Sequence, residues 1–483
     1  MPSTLELVGR GPITIESAIE EEKNIINWVS YGPATDRFYQ ELWAQRDSIE
    51  ALVRHHLALD RRDACRVLPS HHWIRGSFNV CVFVEVKSGN SARKVIFRCP
   101  MPHKLAEARY PGSIDEKLGS EFTHAKHLAF FPRVMRLCWR FIYRSLRLPL
   151  LSNYVLNPPS QQGYPPYMIL KYLGPKTGQM LSDTFDMHRE DKARRQRLFR
   201  GMSRIMISLA RLPQARIGSF QLNDSGTVTL TNRPLTCSMM ISENDGATRT
   251  MPRNETISCT DAFVSDMLTF HDHRFLSQPN AVNDESDCRT QMAVKTLLRV
   301  VSHNYIKREV RNGPFLLQHT DLHASNILVD KDWNVTGLID LEWVCALPAE
   351  KLAVPYWLTG CAIDDIEGEK LDQFDLVRQE FMHIFEEEEQ VMKMKAKASH
   401  NINLSEIMHD MWDSKGVWFW YCLSSVNAMY FLLESHLLPP KSLSLEAERI
   451  VSRFWCRESE DIVRKKLADK KAYDEELRRL FSE

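Results

Sequence analysis

Four polar residues in the segment FLLQHTDLHASNILVDKDWNVTGLIDLEW, from Phe315 to Trp343, have the types and spacing for phosphoryl transfer: His319, Asp321, Asn326 and Asp340. Asn326 stands just before the apolar run Ile327-Leu328-Val329, and Asp340 just after a second run, Val335 to Ile339. Between the runs, Asp330-Lys331-Asp332-Trp333-Asn334 is turn-like. Paired as an antiparallel hairpin, the runs bring Asn326 and Asp340 together at the open end. Two side-chain oxygens converging beside a third carboxylate suit a hard divalent cation such as Mg²⁺. Asp321 is left to orient and deprotonate an attacking hydroxyl.

At HTDLHASNILVD and LIDLEW the chain resembles the aminoglycoside phosphotransferase/choline kinase superfamily, protein-kinase relatives that phosphorylate small molecules. The resemblance implies an α+β, two-lobed kinase-like fold with a small β-rich lobe and a large, mainly helical one. It assigns the catalytic base to Asp321 and magnesium to Asn326 and Asp340. The cofactors it implies are ATP (or GTP) and Mg²⁺, and the acceptor is a hydroxyl of a small molecule. Asp340-Leu341-Glu342 replaces the Asp-Phe-Gly of protein kinases, and no Ala-Pro-Glu follows. Both departures favour a small-molecule kinase.

The elements that must position these residues follow from hydrophobic periodicity. Residues 36 to 58 carry helical spacing, with Phe38, Leu42, Ile49, Leu52 and Val53 near one face. Strands are expected over 78–86 and 94–98, joined by the turn 87–91. A helix is expected from about Ile114 to Leu128, and a strand over Tyr167 to Tyr172. Helices then dominate, interrupted by a hairpin over 217–230. The expected division is an N-terminal helical extension over 1–65, a nucleotide-binding lobe over 66–173 and a helical lobe over 174–483.

Within the small lobe, Arg75-Gly76-Ser77-Phe78-Asn79 is the candidate phosphate-covering loop, with Gly76, Ser77 and Asn79 its contributors; it lacks G-x-G-x-x-G. By resemblance, Arg98 on the second strand pairs with Glu121 on the following helix to steady the α- and β-phosphates. Lys171 to Leu173 would offer backbone hydrogen bonds to the purine. Glu342, two residues past Asp340, shares its face in a strand-like continuation and either supports the site or forms a structural ion pair. Trp343, Tyr356 and Trp357 either cage an ammonium or belong to the core.

The match frays over Phe130 to Tyr154, FFPRVMRLCWRFIYRSLRLPLLSNY, which is basic and apolar with no clear strand. The reading adopted is a helix that packs its apolar side and solvates its arginines, against the alternative of contact with a membrane surface. This region and the single-glycine loop motivate a second functional reading, a catalytically inactive kinase-like scaffold.

Lys+Arg and Asp+Glu both number 62, so no global field draws in nucleic acid or an anionic membrane. The 11 cysteines form no C-x-x-C pair, which points away from a disulfide framework or structural zinc. The first residues lack a basic start and a long apolar stretch, so a cytoplasmic location is expected. Val417 to Leu433 is short for a membrane span and holds Ser424, Ser425 and Asn427; a buried helix is expected there. Glu386 to Glu389 is read as a solvated helix face. His271-Asp272-His273 is discounted as a metal pair, because residues i and i+2 of a helix diverge.

Overall fold

The computed structural model describes residues 4–89, 91–114, 122–156, 166–395, 402–425, 427–438 and 444–482. The chain is α+β, with its longest strands before residue 101 and mostly helix beyond residue 185. A five-stranded sheet is built on the hairpin Asn79–Ser88 and Ser91–Pro100, whose ladder runs unbroken from Asn79↔Pro100 to Ser88↔Ser91. Alternating valines make this possible: Val80, Val82, Val84 and Val86 are all buried on one face. Against that face pack Ile49, Leu52 and Val53 of the helix Arg46–Leu57, with Phe38 and Leu42 of Ile25–Ala44. The helical stretch expected over 36–58 is therefore two helices broken at Gln45. The strand Ala64–Val67 pairs with Asn79–Ser88 and crosses the expected division at residue 65. Met168–Lys171 pairs with Ser91–Pro100 and forms the sheet's edge.

The expected helix over 114–128 is not found where the structure describes it. Phe122–His124 is a strand paired with Tyr154–Leu156, and Ala125–His127 is a 3₁₀ turn. Residues 115–121, and with them Glu121, lie outside the described residues. The helix Phe130–Ser145 lies between the two short strands, and its packing is the reverse of that expected: none of its residues is buried.

The helical part surrounds one large core, to which Val417, Trp418, Phe419 and Leu423 of the helix Gly416–Ser424 belong. Among the described residues no helix is long and apolar enough to cross a membrane. The acidic run is a solvated face only in part: Glu387 is exposed and Glu386 half-buried, but the next two residues are not. Glu388 is buried against Arg200 and Arg204. Glu389, also buried, accepts hydrogen bonds from Leu404 N (2.9 Å), Ser405 N (3.2 Å) and Ser405 Oγ (2.7 Å). It thus caps the helix Leu404–Asp413, whose own N-cap residue Asn403 makes no capping bond. His271 and His273 part as expected: His271 Nε2 meets Leu423 O at 3.0 Å, while His273 Nδ1 meets Thr248 O at 3.1 Å.

Candidate active site

The hairpin at the centre of the site forms in the expected register, Ile327↔Leu338 and Leu328↔Gly337. Its turn is organised by Asp330, whose Oδ1 accepts from the backbone N–H of Asp332 and of Asn334, both at 2.9 Å. Trp333, in a left-handed conformation, drops into the core and donates from Nε1 to Thr184 Oγ1 at 3.1 Å. At the open end Ile339 N donates to Asn326 O at 3.0 Å, so Asn326 and Asp340 flank the last rung. Asp340 then takes φ 56°, ψ 43°, a left-handed turn that diverts the strand into the 3₁₀ turn Leu341–Trp343. Aspartate tolerates that region better than most residues. The strand-like continuation expected beyond Asp340 is thereby replaced by a turn.

A second ladder sets Asp321. The strand Leu316–His319 pairs with Val344–Leu347, and Thr320 bonds Trp343 O through both N (3.0 Å) and Oγ1 (2.9 Å). Asp321 follows immediately, with its N–H on His319 Nδ1 at 3.2 Å. Asn326 Nδ2 donates to Asp321 O at 2.8 Å and to Asp321 Oδ2 at 3.0 Å, and lies 3.2 Å from His323 Nε2. Asp321 Oδ1 is 3.6 Å from that same His323 nitrogen. Burial pushes His319 below the ordinary histidine range.

Arg98 reaches this cluster from the small sheet. Its guanidinium forks onto Glu342, with Nη1 to Oε2 at 3.0 Å and Nη2 to Oε1 at 3.1 Å. Nη2 also lies 2.8 Å from Asp340 Oδ1. With its amide oxygen turned toward the guanidinium, Asn79 accepts from Arg98 Nη2 at 2.7 Å and Nε at 3.2 Å. Burial raises the Asp340 carboxyl above the usual range; Arg98 counters this, and Glu342 and Asp321 add to it. Glu342 is therefore a partner of Arg98, and the expected partner Glu121 lies outside the described residues. The signal for Glu342 was present in the chain as a carboxylate two residues past Asp340.

Asp321, Asn326, Asp340, Arg98 and Asn79 are thus brought together, and Gly76 adjoins them through its N–H on Asn79 O at 2.9 Å. Gly76 and Ser77 line a cavity of about 580 Å³ that also takes in Lys23, Lys104, Asp245 and Arg274, but none of Asp321, Asn326 or Asp340. Between loop and site, Phe78 is buried against Trp343 with ring centroids 5.5 Å apart, which makes Trp343 a core residue. Lys171 pairs with Val95, three residues from Arg98, about 10 Å along the strand. Leu173 is exposed.

A separate cavity of about 160 Å³ adjoins the catalytic loop at His319, Thr320 and Leu322. Tyr356, Trp357 and Tyr421 line it, and Trp357 Nε1 is fixed on Leu322 O at 2.7 Å. Lys351, which no motif singles out, also lines it; burial pushes its ammonium down to about 8.

The donor set can be tested against magnesium. Among the described residues there is no group of three His, Cys, Asp or Glu placed to hold a metal. Toward a cation Asp340 offers its carboxylate, whose Oδ1 lies 2.8 Å from Arg98 Nη2, and Asn326 its amide oxygen, its Nδ2 being spent on Asp321. Mg²⁺ is commonly held by one or two carboxylates and completed by water and substrate phosphates, so these residues fit it in the presence of a nucleotide.

Residues 161–362 match the family model described as the phosphotransferase enzyme family, a span that includes Asp321, Asn326 and Asp340 and excludes Arg98. No curated protein matches the chain. Among solved structures, Plasmodium vivax ethanolamine kinase is similar at 12% identity and a TM-score of 0.33, with 83% of each chain covered. Over residues 161–362, less than half of the chain, the sequence is thus similar to the phosphotransferase enzyme family.

Proposed function

We propose that the protein transfers the γ-phosphoryl group of ATP (or GTP) to a hydroxyl of a small molecule, with Mg²⁺ as cofactor. The observation that carries this reading is the cluster in which Asn326 Nδ2 holds Asp321 Oδ2 at 3.0 Å while Asp340 sits one residue past the hairpin's last rung. Asp321 is the base: Asn326 fixes Oδ2, and Oδ1, 3.6 Å from His323 Nε2, accepts the acceptor's proton. Asn326 and Asp340 would hold Mg²⁺, which would supply positive charge against the phosphates. Arg98 would bind phosphate oxygens, positioned by Glu342 and Asn79. In this reading residues 66–173 serve the nucleotide, with Gly76 and Ser77 over the phosphates and Lys171 to Leu173 presenting edge-strand backbone to the purine. Residues 174–483 serve the acceptor.

The cavity beside the catalytic loop is the proposed acceptor pocket. Its lining is aromatic, includes Lys351 and contains no carboxylate, which suits a neutral or anionic acceptor better than an ammonium. The test is a screen of sugars, amino alcohols and carboxylated alcohols for ATP consumption, repeated with Asp321→Asn. Phosphorylated product from the wild type alone supports transfer, whereas equal turnover by both removes Asp321 from the mechanism.

One observation favours the second reading, a binding or scaffold protein without transfer. Arg98 is already engaged by Asp340 and Glu342, and Phe78 rests on Trp343, so phosphates must displace existing contacts. Nucleotide binding that depends on Mg²⁺ decides between the two.

A further inference from the structure

The helix Phe130–Ser145 is mounted with its charged side inward. At 100° per residue, Arg136, Arg140 and Tyr143 share one face. These are the half-buried residues of the helix. Arg136 donates from Nε to Ser152 O (3.0 Å) and from Nη2 to Tyr154 O (2.6 Å) and Gly226 O (3.2 Å). Arg140 donates from Nε to Leu151 O (3.0 Å) and from Nη1 to Asn153 Oδ1. Two guanidinium groups thus fasten the helix to neutral carbonyl and amide oxygens, and those bonds leave their positive charge in place.

The opposite face is apolar and points to solvent. Phe130 is 82% exposed, and Phe131 and Phe141 are each 72% exposed. Val134, Met135, Leu137 and Ile142 complete that face, and Leu146, Leu148 and Leu150 extend it. An apolar surface of this extent, held by specific bonds rather than hidden, marks an interaction site.

Charge identifies the occupant. Between Phe122 and Ser182 the sequence contains no Asp or Glu. Lys126, Arg133, Arg136, Arg140, Arg144 and Arg147 all fall within the described part of that stretch, and Arg133 and Arg144 border the apolar face. The helix packs on Leu150–Leu151 and Ala125–His127, which hold no acid; Asp224 stands two residues before Gly226, whose carbonyl Arg136 takes. Aromatic and aliphatic side chains flanked by arginine suit the boundary between acyl chains and anionic headgroups. A second copy of the same face would set arginine against arginine.

We propose that the helix Phe130–Ser145 docks this protein peripherally on an anionic lipid surface, with Phe131, Val134, Met135 and Phe141 inserted below the headgroups and Arg133, Arg144 and Arg147 on lipid phosphates. This inference is independent of the phosphotransfer reading. The test is flotation of the full chain with phosphatidylcholine vesicles, with and without phosphatidylserine, alongside the double variant Phe131→Asp/Phe141→Asp. Both side chains are exposed, so the variant should fold, and unchanged thermal unfolding checks that. The wild type should float with phosphatidylserine vesicles, with binding weakened by salt and about tenfold or more lower in the variant. Absence of flotation, equal flotation of wild type and variant, or equal binding to pure phosphatidylcholine would overturn the proposal. So would sedimentation showing a wild-type dimer that the variant converts to monomer, since the face would then belong to a second copy.

Discussion

Arg98 and Glu342 meet through two parallel hydrogen bonds of 3.0 and 3.1 Å, one partner on the small sheet and the other in the turn after Asp340. Their side chains are about nine-tenths buried, so the pair is shielded from salt and its geometry is fixed. Without Glu342, Asp340 would be the one carboxylate left on Arg98 beside the Asn79 amide, in competition with a cation. Glu342→Gln should therefore weaken Mg-ATP binding about 10–100-fold, the scale of changes behind a metal ligand. Calorimetric titration checks this, and an unchanged affinity would make the pair purely structural.

Asp321 is held by Asn326 through both its backbone carbonyl and one carboxylate oxygen. Asp321→Asn keeps shape and hydrogen-bonding capacity but loses basicity. Once an acceptor is found, turnover should fall about 10²–10⁴-fold while nucleotide affinity stays within twofold or so. Single-turnover kinetics separates the two effects. A parallel loss of binding would assign Asp321 to the nucleotide instead.

Glu389 provides the N-terminal cap of the helix Leu404–Asp413 from another helix, Gly368–Lys395. Removal of a cap and of a buried acceptor together should cost about 2 kcal/mol. Urea unfolding of Glu389→Ala measures it. A change within error would show that water replaces the carboxylate at no cost.

His271 gives the fold a pH dependence. Buried, with Nε2 donating to Leu423 O, its folded value is pushed down to about 3 from an ordinary 6.5. A depressed histidine binds a proton in the unfolded chain before it does so in the folded one. Its contribution is therefore fully present above pH 6.5 and is lost as pH falls toward 3. Between pH 7 and pH 4.5 the loss should be on the order of 2–3 kcal/mol. His271→Gln should flatten this slope in denaturant titrations, and parallel slopes for both proteins would exclude His271 as its source.

What the sequence revealed depended on how local the determining contacts are. The hairpin carrying Asn326 and Asp340 was legible because its two apolar runs and the Asp330 turn lie within fifteen residues or so. The valine ladder of Asn79–Ser88 was legible from alternation. Phe122–His124 was misread as helix because its strand partner, Tyr154–Leu156, arrives only after an intervening helix. Glu388 and Glu389 were misread as solvated because Arg204 and Ser405, which satisfy them, are distant in sequence.

The helix Phe130–Ser145 shows the limit of periodicity. Its two faces were plain in the sequence, but an amphipathic pattern does not say which face turns inward. Carbonyl groups of the segment 151–154 decide that here, by taking the guanidinium groups of Arg136 and Arg140. At the active site Arg98 meets Glu342, which the sequence offered as a supporting residue or an ion-pair partner, while the expected partner Glu121 lies outside the described residues.

The central claim is that Asn326 and Asp340 grip a divalent cation together with nucleotide phosphates. The most direct measurement is calorimetric titration of ATP into wild type and Asp340→Asn, each with Mg²⁺ and with a chelator. The account predicts binding by the wild type that requires Mg²⁺, and little or none by the variant under either condition. Binding of equal strength in all four titrations would contradict it.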